Sequence, residues 1–412
     1  MSSSSLYCFL FRSGAECIIG FDVLVDVVIE QRFYRCNEGK YWTDNAFPNA
    51  FWHRYLNVFD AVNIVARVQK VERPEELWQR VDSDTVGFTD LPIYIGPAGF
   101  IKKLPDLIKV LKTRKLVNRC VIYRVPGILS FFYHLFAMPS GKAYAAEVVG
   151  DPVDVFAPGA SKSPLRPVFK RLFYHMLRRQ CAKAVSLSYV TEYSLQERYP
   201  PNPDGFDTHY SSIQLGDSDY FQRSEYTLNR PIKLVCIGNL SQPYKGCDFM
   251  LETLAKLKSK GVEVYLSWIG GGALQPAMES LADELGIAQS VRFVGNLSQR
   301  AQINQILDDS DVFVLSSRQE GLPRVLIESM ARSLVCVATN VGGVKELLPQ
   351  TFIVERDNQT ELIDVLESVM LKTSQELMEI SQANYTKAQN YHNDVLAERR
   401  KNMYQALLES SV

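Results

Sequence analysis

The sequence predicts an α/β protein built from two doubly wound, Rossmann-like domains. Three observations carry that expectation. The chain has 412 residues, a length that calls for two or more domains at about 100 to 200 residues each. Two long stretches alternate short β-rich apolar runs with helical patterns, which is how parallel sheets covered by helices read in sequence. Loops carrying glycine follow the apolar runs directly, at the strand ends where open parallel sheets bind ligands.

In the first half, residues 27–33 read as a strand, followed by a polar loop through Asn37, Gly39 and Lys40 and an aromatic helix over 48–59. Strands at 62–68, 93–95, 121–123 and 143–149 come next, the last three each running into a turn with glycine and proline. In the second half the strands are Ile232–Ile237, 262–269, 291–294, Val312–Leu315 and Val335–Thr339. The expected domains are 23–215 and 231–373, joined by a linker at 216–230 and followed by helical periodicity over 374–412. Residues 1–22 read as an N-terminal extension. Its apolar stretch is interrupted by Arg12, Glu16 and Asp22, which disfavours a secretory signal.

Hydrophobic residues are 46% of the chain, enough to fill two cores. The formal net charge is −1, so no global field draws nucleic acid. The eight cysteines show neither CxxC pairs nor zinc spacing and read as reduced, buried thiols of a cytoplasmic protein. No apolar run reaches about 18 residues, which excludes an ordinary membrane span. No aspartate-rich metal motif is present.

The most informative segment is Glu320-Gly321-Leu322-Pro323-Arg324-Val325-Leu326-Ile327-Glu328, directly after the apolar run Val312–Leu315. It reads as strand, tight turn and helix start, with Gly321 allowing the turn and Pro323 suited to the first helical turn. A helix N-terminus offers unpaired amides and partial positive charge to a diphosphate, while carboxylates accept from sugar hydroxyls. Two glutamates flanking a helix start are by themselves ordinary solvated charges. The context makes the pattern specific: Ser329-Met330-Ala331-Arg332, the strand Val335–Thr339, then Val341-Gly342-Gly343-Val344-Lys345-Glu346. This stretch resembles the donor-sugar site of retaining glycosyltransferases of family 4 (glycosyl transferases group 1), of the type that assembles bacterial glycans.

The resemblance implies a GT-B architecture: two Rossmann-like domains facing across a cleft, the first binding the acceptor, the second the nucleotide sugar, and the helices of 374–412 crossing back to the first domain. It implies that Glu320 orients the donor sugar, Glu328 accepts from the ribose and Lys245 neutralises the leaving phosphate. The loop 238–246 is similar to the family's basic diphosphate clamp, but Asn239 stands where an arginine is usual; Arg318 or Arg324 are the cations that compensate. Gly238, Gly270 and Gly271 let backbone approach the nucleotide, Gly295 and Leu297 belong to the loop that contacts the base, and Gly321, Leu322 and Pro323 complete the donor site. The mechanism implied is retaining and metal-independent: a phosphate oxygen of the leaving group deprotonates the acceptor, no protein nucleophile takes part, and no cofactor is needed beyond the nucleotide diphosphate sugar itself.

In the first domain Arg124, at the end of the strand 121–123, is the third catalytic candidate, with Arg67, Glu147 and Asp151 of the same kind. None of the histidines at 53, 134, 175, 209 and 392 follows a recognisable strand end. Basic residues gather at Lys102, Lys103, Lys109, Lys112, Arg114 and Lys115, and again over 166–183, where Leu165, Phe169, Leu172, Phe173, Met176 and Leu177 are interleaved at helical spacing. That pattern suits either an ordinary charged helix face or a peripheral contact with the inner face of a membrane, in keeping with a glycan or lipid-linked acceptor. Asn239 also motivates an alternative, a non-catalytic nucleotide-sugar-binding subunit, and a nucleotide-sugar epimerase is a third.

Overall fold

The computed structural model describes residues 23–44, 47–113, 119–155 and 166–411. The N-terminal extension, Cys8, Cys17, Arg114, Lys115 and Leu165 lie outside them. The chain divides into two compact units. The first comprises the described parts of Met1–Val190, Leu195–His209 and Ala397–Val412; the second comprises Thr191–Ser194 and Tyr210–Leu396.

The first unit is built on β1 (Leu24–Arg35), β2 (Tyr41–Thr43), β3 (Ala61–Lys70), β4 (Gln79–Arg80), β5 (Val86–Leu91), β6 (Arg119–Val125), β7 (Ala145–Val148), β8 (Ser186–Tyr189) and β9 (Phe206–His209). Seven of these run parallel in the order β5-β3-β1-β6-β7-β8-β9. Val25, Val27, Val28, Val62, Ile64, Val65, Val121 and Ile122 are fully buried, as expected of parallel strands covered on both faces. Beyond a register shift between Val28 and Arg32, the outer half of β1 turns back into β2, and β2 and β4 pair antiparallel there. The helices Gly96–Lys112, Ile128–Phe136 and Arg166–Cys181 share one apolar core with β6, β7 and β8.

One expected strand is misplaced. Residues 93–95 form no strand; the ladder ends at Leu91, because Pro92 has no N–H to continue it. Tyr94 instead lies buried with its ring 4.6 Å from the Arg67 guanidinium. The strand expected at 93–95 stands instead at β5, and β2, β4, β8 and β9 were not legible in the sequence.

The second unit contains β10 (Ile232–Ile237), β11 (Val264–Ile269), β12 (Val291–Gly295), β13 (Val312–Leu315), β14 (Val335–Thr339) and β15 (Ile353–Val354), all parallel in the order β12-β11-β10-β13-β14-β15. The direction of winding reverses at β10, so the crevice between the ends of β10 and β13 is the place where such a sheet binds ligands. The segment expected as a linker packs on this unit: the Tyr226 hydroxyl accepts from the Val335 amide (2.9 Å), and Arg223 Nη2 donates to the carbonyls of Leu307 (3.0 Å) and Ser310 (2.9 Å), at the end of the helix Arg300–Asp308. The helix Ser374–Gln389 also belongs here, through Asn384 Nδ2 to Leu334 O (2.8 Å) and Ser381 Oγ to Ser333 O (2.8 Å). Only from Ala397 onward does the chain count with the first unit, where Ser186 Oγ donates to Met403 O at 2.7 Å. Among the described residues no helix is long and apolar enough to cross a membrane.

Candidate functional site

The loops after β10 and β13 meet. After β10 the chain makes a single turn, Pro243–Lys245, closes it at Gly246 with φ +69°, and enters the helix Cys247–Ser259. A Cβ at Gly246 would lie 2.1 Å from Ser316 O, so only glycine lets the Lys245 loop close onto the loop after β13. The lysine stem packs on Gly238. Its ammonium sits 2.7 Å from Glu320 Oε1 and 5.2 Å from the centre of the Tyr244 ring. Ser317 Oγ donates to the same Glu320 oxygen at 2.8 Å. The two charged side chains retain 16% and 13% of their surface, enough to meet a ligand without being loose in water.

The Glu320 loop is supported from β14. Gly343 N donates to Gly321 O at 2.7 Å, and Thr339 Oγ1 donates to Leu315 O (3.2 Å) and to Ser317 O. A Cβ at Gly342, where φ is +49°, would lie 2.0 Å from Gly321 O. The paired glycines of the signature therefore hold the carboxylate-bearing loop as well as opening the short helix Val344–Leu347. Leu322 and Pro323 are buried beneath the loop, and Pro323 caps the helix Arg324–Ala331 rather than standing in its first turn. Glu328, on that helix, accepts from Arg300 Nη2 at 3.2 Å, and Arg300 Nε lies 2.7 Å from Asp219 Oδ1. Burial pushes the Glu328 carboxyl above the ordinary glutamate range, with Arg300 and Arg324 pulling it back.

The sequence model of the glycosyl transferases group 1 family matches residues 231–371, the stretch that carries β10 to β15 and every group described above except Asp219. Residues 231–371 are a glycosyl transferases group 1 domain. Protein CapJ of Staphylococcus aureus is 24% identical over 329 residues, 79% of this chain and 81% of CapJ. Among solved structures, Anabaena HepE in complex with UDP and glucose superposes with a TM-score of 0.59 at 13% identity, covering 95% of this chain and 99% of that one. WaaG, a glycosyltransferase involved in lipopolysaccharide biosynthesis, gives 0.57 at 15% identity over 93% and 99%. At these identities the likeness shows the fold, which is that of the GT-B glycosyltransferases.

Within the group 1 domain the remaining expected residues divide into those open to a ligand and those already engaged. Asn239 is exposed, and its Oδ1 takes the Ser241 amide at 2.7 Å. Gly270 N donates to Gly295 O (2.8 Å) and Gly271 N to Asn296 Oδ1 (2.8 Å), so these glycines tie the loops after β11 and β12 together, with Leu297 half-buried beside them. Arg318 is spent on the protein. It makes a two-pronged pair with Asp248 (2.8 and 3.0 Å), a contact with Asp357 (2.7 Å) and a hydrogen bond to Pro243 O (3.0 Å), while its amide donates to Tyr244 O at 2.7 Å. The expectation that it serves the diphosphate is corrected accordingly: Arg318 braces the Lys245 turn against the Glu320 loop. Arg324 is exposed in the first turn of its helix and makes no hydrogen bond or ion pair with any described residue.

Arg124 lies in the other unit, buried. Its guanidinium pairs with Glu147, whose carboxylate also accepts from Tyr55 (3.0 Å) and Tyr404 (2.8 Å), and the Phe51 ring lies 5.2 Å away. The expected catalytic arginine is a core ion-pair partner, since a carboxylate buried among strands needs its charge matched. Asp151, with the Tyr199 hydroxyl at 2.6 Å, and Arg67, with Glu30 at 3.6 Å, likewise fix loops. His209 does end a strand, β9, and its Nε2 meets Arg399 Nη1 at 2.9 Å. Sequence reasoning missed Ser317, Tyr244 and Arg300. The first two stand beside chosen residues and were within reach of local inspection; Arg300, 28 positions from Glu328, left no local signal.

Proposed function

We propose that the chain is a retaining, metal-independent glycosyltransferase that moves a sugar from a nucleotide diphosphate donor to a hydroxyl of a glycan or lipid-linked acceptor, in polysaccharide or glycolipid assembly. The observation that carries this reading is the 2.7 Å pair of Lys245 and Glu320 at the switch point of the second sheet. The ammonium balances charge that develops on the leaving diphosphate, and the carboxylate accepts hydroxyls of the transferred sugar. Glu328, half-buried on the helix Arg324–Ala331, takes the ribose hydroxyls. A phosphate oxygen of the leaving group accepts the proton of the acceptor hydroxyl on the face where the new bond forms, so the configuration is kept and no side chain is alkylated. HepE, bound to UDP and glucose, and WaaG, which acts in lipopolysaccharide biosynthesis, support the ligand class and the setting.

The first unit is the acceptor side in this reading, and it meets the inner face of the membrane as a peripheral protein. Its helix Arg166–Cys181 carries Arg166, Lys170, Arg171, Arg178 and Arg179 with no acidic residue, and Val168 and Leu172 stand exposed among them. Basic heads with apolar neighbours suit anionic lipid.

The test is incubation of the purified chain with a panel of nucleotide sugars and a membrane-lipid extract, following both nucleoside diphosphate release and the anomeric configuration of the product. Release with retained configuration is expected, and persists in EDTA. Inversion of configuration overturns the mechanism. Asn239 favours one second reading, a nucleotide-sugar-binding subunit without turnover, which predicts binding but no release with any acceptor.

A further inference from the structure

The structure assigns the second cation at the donor diphosphate to Arg324, an inference that rests on the nucleotide-sugar reading of the site. One lysine does not balance a diphosphate, and Lys245 already shares its ammonium with Glu320 at 2.7 Å. Three other positions near the strand ends compete for the role. Position 239 carries a neutral amide whose oxygen is occupied by Ser241 N. Arg318 is matched by two carboxylates, Asp248 and Asp357. Arg300 lies between Asp219 and Glu328. Arg324 alone of these cations has no carboxylate pair among the described residues, and it is exposed.

Its place in the helix fits the ligand's own connectivity. The diphosphate joins ribose to sugar; with Glu328 on the ribose and Glu320 on the sugar, it must pass between them. Arg324 lies four residues from each. It is one turn from Glu328, on the same helix face, and its charge is felt by that carboxyl. The helix has no acidic residue in its first turn to compete for the guanidinium or for the free amides. A guanidinium grips two phosphate oxygens at once, which the missing arginine at 239 would otherwise do from the opposite loop.

Calorimetric titration of the full chain with UDP, GDP and ADP, and with the corresponding unphosphorylated nucleosides, tests the assignment. At least one diphosphate binds the wild type. Arg324→Gln weakens that diphosphate about tenfold, the loss of one charge-assisted contact, and leaves the nucleoside unaffected; adding Asn239→Arg to this variant restores most of the affinity. Equal diphosphate affinity in Arg324→Gln and wild type overturns the assignment. So does a parallel loss of nucleoside affinity, which would place Arg324 at the ribose or base. If the wild type binds none of the diphosphates, the nucleotide-sugar reading itself falls, and the assignment with it.

Discussion

Lys245 and Glu320 are 75 residues apart in sequence, yet Nζ and Oε1 stand 2.7 Å apart because β10 and β13 are neighbours in the second sheet. The pair joins the two loops that flank the switch point. A mostly buried ammonium and carboxylate in contact satisfy each other, so the loss of either leaves the other to find a new partner.

That coupling gives opposite expectations for nucleotide binding and turnover. Glu320→Gln removes the carboxylate that competes for Lys245, so nucleoside diphosphate affinity holds or rises, while turnover falls by about 10- to 100-fold as sugar hydroxyls lose a charged acceptor worth about 1.5 to 3 kcal/mol. Lys245→Ala lowers both. Steady-state kinetics beside titration calorimetry separates the two effects; equal losses of affinity in both variants would rule out the competition.

The pH dependence follows from Glu328. Its folded carboxyl is raised above the ordinary 4.5, chiefly by burial. As pH rises from that value toward the folded one, the unfolded chain gives up its proton first, so the group's contribution to stability is lost through that window. Nucleotide affinity runs the other way, because ribose hydroxyls need the ionised acceptor, and climbs as Glu328 deprotonates. Glu328→Gln is expected to flatten that climb at its low plateau. A climb that survives the substitution belongs to another group.

Arg124 and Tyr404 make the first unit's prediction. Tyr404→Phe takes one donor from the buried Glu147 carboxylate and costs about 1 to 3 kcal/mol in urea denaturation. Arg124→Met leaves that carboxylate without its cation and costs about 3 to 5 kcal/mol. An Arg124→Met protein as stable as wild type but without turnover would return Arg124 to the catalytic site.

Chelation is the simplest check on the metal-free reading. Among the described residues no three His, Cys, Asp or Glu side chains gather to hold an ion. Activity is expected to be unchanged after dialysis against EDTA, and recovery by added magnesium or manganese of activity lost to the chelator would contradict it.

Much of this protein was legible because its second unit is written in local signals. The runs Ile232–Ile237, Val312–Leu315 and Val335–Thr339 are apolar but for Lys233 and Thr339, and became β10, β13 and β14 with the same bounds. The first unit hid more. β8 reads Ser-Leu-Ser-Tyr, and its buried Ser186 places its hydroxyl on Met403 O, 217 positions away. No window of sequence contains that partner.

The sequence by itself determined the α/β class, the alternation of strand and helix, and the Glu320 to Glu328 motif, since apolar period, turn residues and helix starts are set by neighbours along the chain. Tertiary structure decided which charges are free. Arg124, Arg318 and Arg324 are alike as letters, each near a strand end or helix start. Glu147 takes the first into a core, Asp248 and Asp357 take the second into a brace, and the third is left at the surface of the site. A guanidinium's role depends on the carboxylates within about 4 Å of it, and those come from strands and loops that only the folded sheet order brings together.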